Sequence, residues 1–377
     1  MEGPRTTQDY RRLGLIGERP AAFGDLPGFA GDDLAPAWAA FLTSCRRILS
    51  QDAVLRPAVE PDAAQRAICA AALALGAGDP QSIRAFIASR FEAWPISPAN
   101  GAEHGFLTGY YEPVIPGAWE KSDAFNAPLL ARPPDLITLQ PDAARDDMSA
   151  EFTSARRNPA GRLEPYPTRR DIETRSGDAP LMYVRDPIEA YMIQVQGSAT
   201  ISVADERVRL TYAGRNGRPY TSIGRILIER GDVALADMSL ARLKQWVREN
   251  GQKPGEAGRD LLWRNDSFVF FAIDTTEARR VGPIGGAGTP LLPLRSIAID
   301  RSIWPYGLFF WIDAMLPWEG PAPSPFQRLM VGQDTGSAIV GPARADLYFG
   351  AGDEAGALAG GVRHPARMYV LLPSAQP

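Results

Sequence analysis

Three aspartates near the C-terminal end of this 377-residue chain are the side chains best placed to do chemistry. They are Asp300 in IAIDRSIWPYG, Asp334 in VGQDTGSAIVG and Asp346 in ARADLYFG. Each ends or flanks a short apolar run, so each is expected at the end of a strand. An aspartate there ordinarily accepts hydrogen bonds from turn amides. Three in one β region point further, to proton transfer by carboxyl groups on a bond that needs an acid or a base.

Two tempting motifs do not hold. The DTGS run at Asp334 matches the loop of an aspartic protease, which needs a second such loop so that two carboxyls share a proton. The nearest copy, FAIDTTEA at Asp274, has Thr276 where the turn needs Gly, and Gly332 and Gln333 make the approach to Asp334 too polar. The run GPIGGAGTP lacks the Lys and the strand–helix setting of a phosphate loop and reads as a tight barrel turn. Glu112, in YYEP, is a rival acid that sits beside Pro113 at a strand end.

Composition narrows the classes. Hydrophobic residues make up 45% and charged residues 22%, ordinary for a globular chain. A net charge of -4 and a pI near 5.5 give no footprint for nucleic acid. The only histidines are His104 and His364, and the only cysteines Cys45 and Cys69, so a metal cluster or a Ser-His-Asp triad is nearly excluded. No metal and no cofactor is expected. The cysteines are either a disulfide or two buried thiols, and an even pair on consecutive helices favours the disulfide and an oxidising compartment. A bridge requires Cα atoms about 4.4–6.8 Å apart. The opening MEGPRTTQDYRRLGLIGERP has no apolar h-region, so the chain is either cytosolic or lacks its leader. No apolar run approaches the ~20 residues of a membrane span.

The elements that must position the carboxyls follow from periodicity. Residues 32–94 read as helices: Leu34, Trp38, Phe41, Leu42, Cys45 and Leu49 form one stripe, with Asp32 or Asp33 as N-cap. FLTGYYEPVIPG alternates as a strand ending at Pro113. YMIQVQGSATISV and VRLTYAGRNG read as strands around a turn at Ala204–Arg207, and SIGRILIER and SLARLKQWVREN as helices. FVFFAID, LRSIAID, LFFWID, RLMVGQD, ADLYFG and RMYVLLP then read as six strands of a closed barrel without intervening helices. Alternation would put Gln194 and Gln196 on one strand face, an amide pair suited to sugar hydroxyls. Thr108, Tyr110, Tyr111, Ser198 and Tyr212 are further candidates for a sugar-lined surface.

HGFLTGYYEPVIPG, MIQVQGSATI, RLTYAGRNGRPYTSIGRILIERG, NDSFVFF and GQDTGSAIVGPARADLYFG together resemble the membrane-bound lytic murein transglycosylase A family. The resemblance implies a mainly β fold: a double-psi β-barrel domain with N-terminal helices, interrupted by a second small β-barrel domain. The expected division is 1–113 plus 236–377 for the catalytic domain, with its 3D module over about 268–373. The insert, 114–235, would form the other wall of a glycan groove. The three aspartates of the 3D module map onto Asp300, Asp334 and Asp346, and the family's single acid onto Asp346. Two departures stand out: Ala345 replaces an aromatic before the acid, and the Asp334–Asp346 stretch is about one residue longer. A lipoprotein signal with its lipidated cysteine is absent.

The implied reaction is lytic cleavage of the MurNAc–GlcNAc β-1,4 bond of peptidoglycan, leaving 1,6-anhydromuramic acid ends. The substrate's own C6 hydroxyl is the nucleophile, so one acid suffices where glycosidases normally use two. The expectation is a periplasmic monomer, with or without outer-membrane association, that binds glycan strands and no nucleic acid; partners in a cell-wall complex are not specified. The alternatives are a hydrolytic glycosidase, with Asp300 or Asp334 as base, and a non-catalytic, expansin-like glycan-binding protein.

Overall fold

The computed structural model describes all residues except 1–3, 51, 53, 140–144, 146–147, 176, 178, 276–281 and 375–377. The chain divides into two compact units, one of residues 1–111 with 277–377 and one of residues 112–276.

In chain order the first part of the split unit holds α1 (Thr7–Arg12), α2 (Ala35–Ser50), α3 (Ala63–Leu75), α4 (Pro80–Arg90), β1 (Phe91–Pro95) and β2 (Gly105–Glu112). The insert holds β3 (Val114–Ala118), β4 (Ala127–Leu130), β5 (Ile137–Thr138), β6 (Ser154–Arg157), β7 (Leu163–Pro165), α5 (Arg169–Thr174), β8 (Pro180–Val184) and α6 (Pro187–Gln196). It continues with β9 (Ala199–Val203), β10 (Glu206–Arg215), α7 (Ile223–Glu229), α8 (Leu240–Glu249), α9 (Ala257–Leu262) and β11 (Val269–Ile273). The chain then closes the first unit with β12 (Ser296–Ala298), β13 (Phe309–Leu316), β14 (Ser324–Asp334), β15 (Arg344–Ala351), α10 (Asp353–Gly361) and β16 (Arg363–Pro373).

The strand order of the split unit is β1-β16-β13-β14-β12-β15-β2, and β16 also pairs with β2. The last six strands therefore form a closed ring, with β1 attached outside it along β16. Most pairs whose register is resolved are antiparallel, but β12 runs parallel to β14. The N-terminal helices cover one wall of the ring. Trp38 and Phe41 of α2 are fully buried, and Phe41 stacks on Phe309 of β13 at 4.3 Å between ring centres. Asp62 and Asp79 cap α3 and α4, the second just before Pro80 at the first helical position. At α2 the two candidate caps have different partners. Asp33 accepts from the Ala35 amide, whereas Asp32 is buried against Arg295 with both contacts at 2.8 Å. Leu49, expected on the buried stripe, is exposed. Cys45 of α2 and Cys69 of α3 are joined by a disulfide, with Cα atoms 4.8 Å apart.

The insert is built on a six-stranded sheet of order β11-β10-β9-β3-β8-β4 and a three-stranded sheet of order β5-β6-β7. Its larger core gathers Leu129, Met182, Val184, Ile193, Ile201, Leu210 and Phe271. A second cluster packs α6 against α7, α8 and α9 through Tyr191, Leu227, Trp246 and Leu262.

Three expectations are corrected here. Residues 236–276, expected with the C-terminal barrel, belong to the insert: β11 pairs with β10 from Leu210↔Ile273 to Arg215↔Val269. A strand pattern states which faces are buried and leaves the partner open, so FVFFAID found its neighbour in the insert. YMIQVQ is helical, as α6, capped by Asp186 and ended by Gly197 in the left-handed region at φ 86°. A helix, α10, also interrupts the C-terminal strands between β15 and β16. Its sequence DEAGALAGG lets it lie close: a Cβ on Gly109 would sit 2.8 Å from the Ala359 backbone, and one on Gly356 2.7 Å from the Tyr111 ring.

Candidate active site

Asp346 lies on β15, opposite Ala298 of β12 in the ladder. The other strand beside β15 in the ring is β2, where pleating turns Thr108 and Tyr110 to one face and Tyr111 to the other. Thr108 Oγ1 donates to Asp346 Oδ1 at 2.6 Å. Arg344, two residues before the acid, donates through Nη2 to Thr108 Oγ1 at 2.8 Å. The carboxyl has lost most of its water, and this burial pushes its pKa up to about 6. Arg344 and the Thr108 hydrogen bond pull the other way, and Asp334 adds a smaller upward push. Desolvation wins because it acts on the whole charge, whereas each neighbour offsets part of it.

Asp334 ends β14, two strands from Asp346 through β12. Its Oδ1 accepts from the Gly286 amide at 2.8 Å and its Oδ2 from the Tyr110 hydroxyl at 2.9 Å. The Gly-rich run is thus a turn that supports Asp334. Gly285 and Gly286 are required there because a Cβ on the first would lie 2.6 Å from the Gln333 carbonyl and on the second 2.6 Å from Tyr306 Oη. Gln333, fully buried, anchors the strand end: its amide nitrogen donates to Ala40 O and Ser44 Oγ, and its oxygen accepts from Ser296 Oγ. The polar approach to Asp334 is therefore a fully satisfied network. Tyr110, half-buried, packs at a tilt against Tyr348 with ring centres 5.3 Å apart, and burial together with Asp334 raises its phenol pKa.

Asp300 lies apart from this hydrogen-bonded group. Its Oδ1 accepts from the Ser302 amide and hydroxyl, and its Oδ2 from the Gly341 amide at 2.7 Å. Both oxygens fasten turns, the ordinary work of a strand-end aspartate.

The expected sugar contacts separate. Thr108 and Tyr110 bind the carboxyls themselves. Tyr111 is buried against α10 and faces away from them. Gln194 and Gln196 share no strand face because both are on α6; Gln194 is buried and lines a cavity of about 340 Å³ within the insert, with Lys121, Tyr183 and Arg259. Ser198 follows α6 and Tyr212 sits on β10, both half-buried. Glu112 is fully buried in the insert, where Arg209 grips it at 2.7 and 3.0 Å and Thr200 donates to it. A carboxylate committed to such an ion pair is a structural group. Sequence reasoning missed Arg344, Gln333 and Gly286. Only the i, i+2 spacing of Arg344 and Asp346 on a strand was available as a signal.

A closed β-ring holding a carboxyl whose pKa burial raises to about 6 is the kind of setting in which enzymes place a proton donor. Residues 106–272 match the MltA specific insert domain and residues 295–372 the 3D domain. The membrane-bound lytic murein transglycosylase A of Escherichia coli K12 is 33% identical over 302 residues, covering 78% of this chain and 72% of that protein. The Vibrio cholerae protein of the same name is 32% identical over 305 residues, 79% and 72% of the two chains. The crystal structure of a membrane-bound lytic murein transglycosylase from Agrobacterium tumefaciens superposes with a TM-score of 0.83 at 31% identity, covering 94% and 97%. Escherichia coli MltA with bound chitohexaose gives a TM-score of 0.67 at 27% identity, covering 96% and 94%. The chain belongs to the membrane-bound lytic murein transglycosylase A family, peptidoglycan-cleaving lyases. Among the described residues no helix is long and apolar enough to cross a membrane.

Proposed function

We propose that Asp346 is the single acid and base of lytic peptidoglycan cleavage in this chain. Its proton passes to the oxygen between MurNAc and GlcNAc, and the C1–O bond breaks. The MurNAc C6 hydroxyl bonds to C1 and returns its proton to the Asp346 carboxylate, leaving a 1,6-anhydro end. The observation that carries this reading is the Asp346 carboxyl, raised to about 6, while both oxygens of Asp334 and of Asp300 already accept hydrogen bonds. A hydrolytic mechanism needs a second carboxylate that activates water, and here Asp334 and Asp300 are each engaged in hydrogen bonds that hold turns and Tyr110 in place.

The ring is read as a double-psi barrel on the strength of its parallel β12–β14 pair. Asp334 is assigned to support through Tyr110 and Gly286, and Asp300 to the stability of the ring. Glycan strands, the ligand type bound to the Escherichia coli relative as chitohexaose, are the proposed substrate; Gln196, Ser198 and Tyr212 are proposed as sugar-binding groups on the insert itself. A periplasmic location, with or without outer-membrane association, suits the Cys45–Cys69 disulfide.

Digestion of purified sacculi followed by mass spectrometry of the products tests the reading. Anhydro-muropeptides are expected from the wild type, and Asp346→Asn should lower their release by ~10²–10⁴-fold, the span of general acid catalysis, while sacculus binding persists. Asp334→Asn should cost less, about 10–100-fold, since it removes support rather than the proton donor. Reducing ends in place of anhydro ends would establish hydrolysis, and intact sacculi would establish binding alone.

A further inference from the structure

Two hydrogen bonds beside Asp346 restrict where its proton can sit. A guanidinium only donates, so Thr108 Oγ1 must accept from Arg344 Nη2 at 2.8 Å. The one hydroxyl proton of Thr108 is then left for Asp346 Oδ1, which it meets at 2.6 Å. An oxygen receiving that proton cannot present its own O–H along the same line, and Oδ2 becomes the oxygen that carries the acid proton. Arg344 is itself held: Nη1 bonds the Ala345 carbonyl, and the guanidinium lies 5.6 Å from the Phe106 ring centre.

Building on the assignment of Asp346 as the acid, we propose that Arg344 is a positioning residue which, acting through Thr108, fixes the acidic proton of Asp346 on Oδ2 and steadies the carboxylate once that proton has left. No proton is exchanged with either residue. The proton leaves Oδ2 for the glycosidic oxygen and returns to the carboxylate from the C6 hydroxyl, while Arg344 and Thr108 keep theirs throughout. The groups that face Asp346 are Arg344 on its own strand, Thr108 and Tyr110 on β2 and Asp334 at the end of β14; the β12 neighbour is Ala298. Of these, Arg344 is the only cation. It keeps the acid from rising further under burial, so that Asp346 can serve both as donor and, ionised, as acceptor.

The test uses the full chain with Arg344→Met, Arg344→Lys, Thr108→Val and Thr108→Ser. Two readings are taken: the carboxyl titration of Asp346 by carbon-13 NMR, and the pH profiles of kcat and KM for release of anhydro-muropeptides. Arg344→Met should raise the Asp346 midpoint by about one pH unit and lower kcat about 10–100-fold, with KM changed less than about twofold. Arg344→Lys should hold the midpoint near the wild-type value yet recover only part of kcat, because an ammonium does not reproduce the planar fork. Thr108→Ser should behave as wild type and Thr108→Val should lose activity as Arg344→Met does. A midpoint and a kcat unchanged in Arg344→Met, or a fully active Thr108→Val, would overturn the proposal. If Arg344→Met does not fold, Arg344→Lys and the Thr108 pair carry the same decision. If the wild type releases no anhydro ends, the function assigned to Asp346 fails, and the titration still shows whether Arg344 and Thr108 govern its proton.

Discussion

The acid role proposed for Asp346 comes with a thermodynamic cost that can be measured. The residue's folded pKa of about 6 lies above the ordinary aspartate value of 3.8. The folded state therefore holds its proton more tightly than the unfolded chain does. The associated stability is fully present below pH 4 and is lost as pH rises through about 6. The loss is on the order of 2 kcal/mol at neutral pH, reduced by the remaining exposure of the group. Asp346→Asn should consequently melt higher than wild type at pH 7.5 and equally at pH 4, by calorimetry, while keeping the ~10²–10⁴-fold loss of activity at both. The activity of the wild type should fall as pH rises through about 6, since the donor form is the one depleted. Equal melting of the two proteins at pH 7.5 would contradict the buried state of the carboxyl. At this scale Asp334 and Asp346 were singled out by the apolar runs they flank and by the family pattern; Asp334 does end its strand, whereas Asp346 lies inside β15. Arg344 was not singled out, because a lone arginine two residues from an acid reads as ordinary surface charge until the strand is paired.

Elements were legible where local signals agreed and were lost where they conflicted. The capped helices α3 and α4 follow from Asp62 and Asp79 with their apolar spacing. Helix α6 was read as a strand because Tyr191, Ile193 and Val195 alternate, although Asp186-Pro187 before it and Gly197 after it are helix punctuation. Helix α10 has no apolar stripe to read, since alanines and glycines serve it by allowing close approach to β2. The Gly-rich turn under Asp334 belongs to the same logic of close approach. Gly285→Ala would force a methyl against the Gln333 carbonyl, a backbone atom that cannot swing aside. The expected cost is about 1–3 kcal/mol by denaturant melts, with a loss of kcat as Asp334 shifts. An unchanged midpoint with full activity would show that the turn yields freely.

At the scale of the molecule, the disulfide stitches α2 to α3 on the helical wall of the ring unit. It closes a loop of 24 residues, for which chain entropy gives about 3 kcal/mol of stabilisation. Reduction, or Cys45→Ser with Cys69→Ser, should lower the melting transition of that unit by a corresponding amount and leave the insert's transition in place. A single transition shifted as a whole would mean that the two units melt together. The split organisation was legible in outline, with its return point misplaced, because β11 looks the same in sequence whichever sheet it joins.

The closed ring also sets a timetable. Its seam joins β2, ending at Glu112, to β16, which begins at Arg363, so the strands that meet there leave the ribosome or an export channel some 250 residues apart. Everything in the insert's sheet, from β3 to β11, has emerged by Ile273, before any of β12–β16 exists. The insert can therefore acquire its structure while the flanking strand β2 still waits with open edges, a vectorial order imposed by topology alone. Pulse-labelled hydrogen exchange during refolding should show β9 and β10 amides protected before those of β2 and β16. Simultaneous protection would mean that the late strands template the early ones. In a cell, the interval before β16 arrives is when an unpaired β2 is exposed to chaperones, to proteases and to other chains.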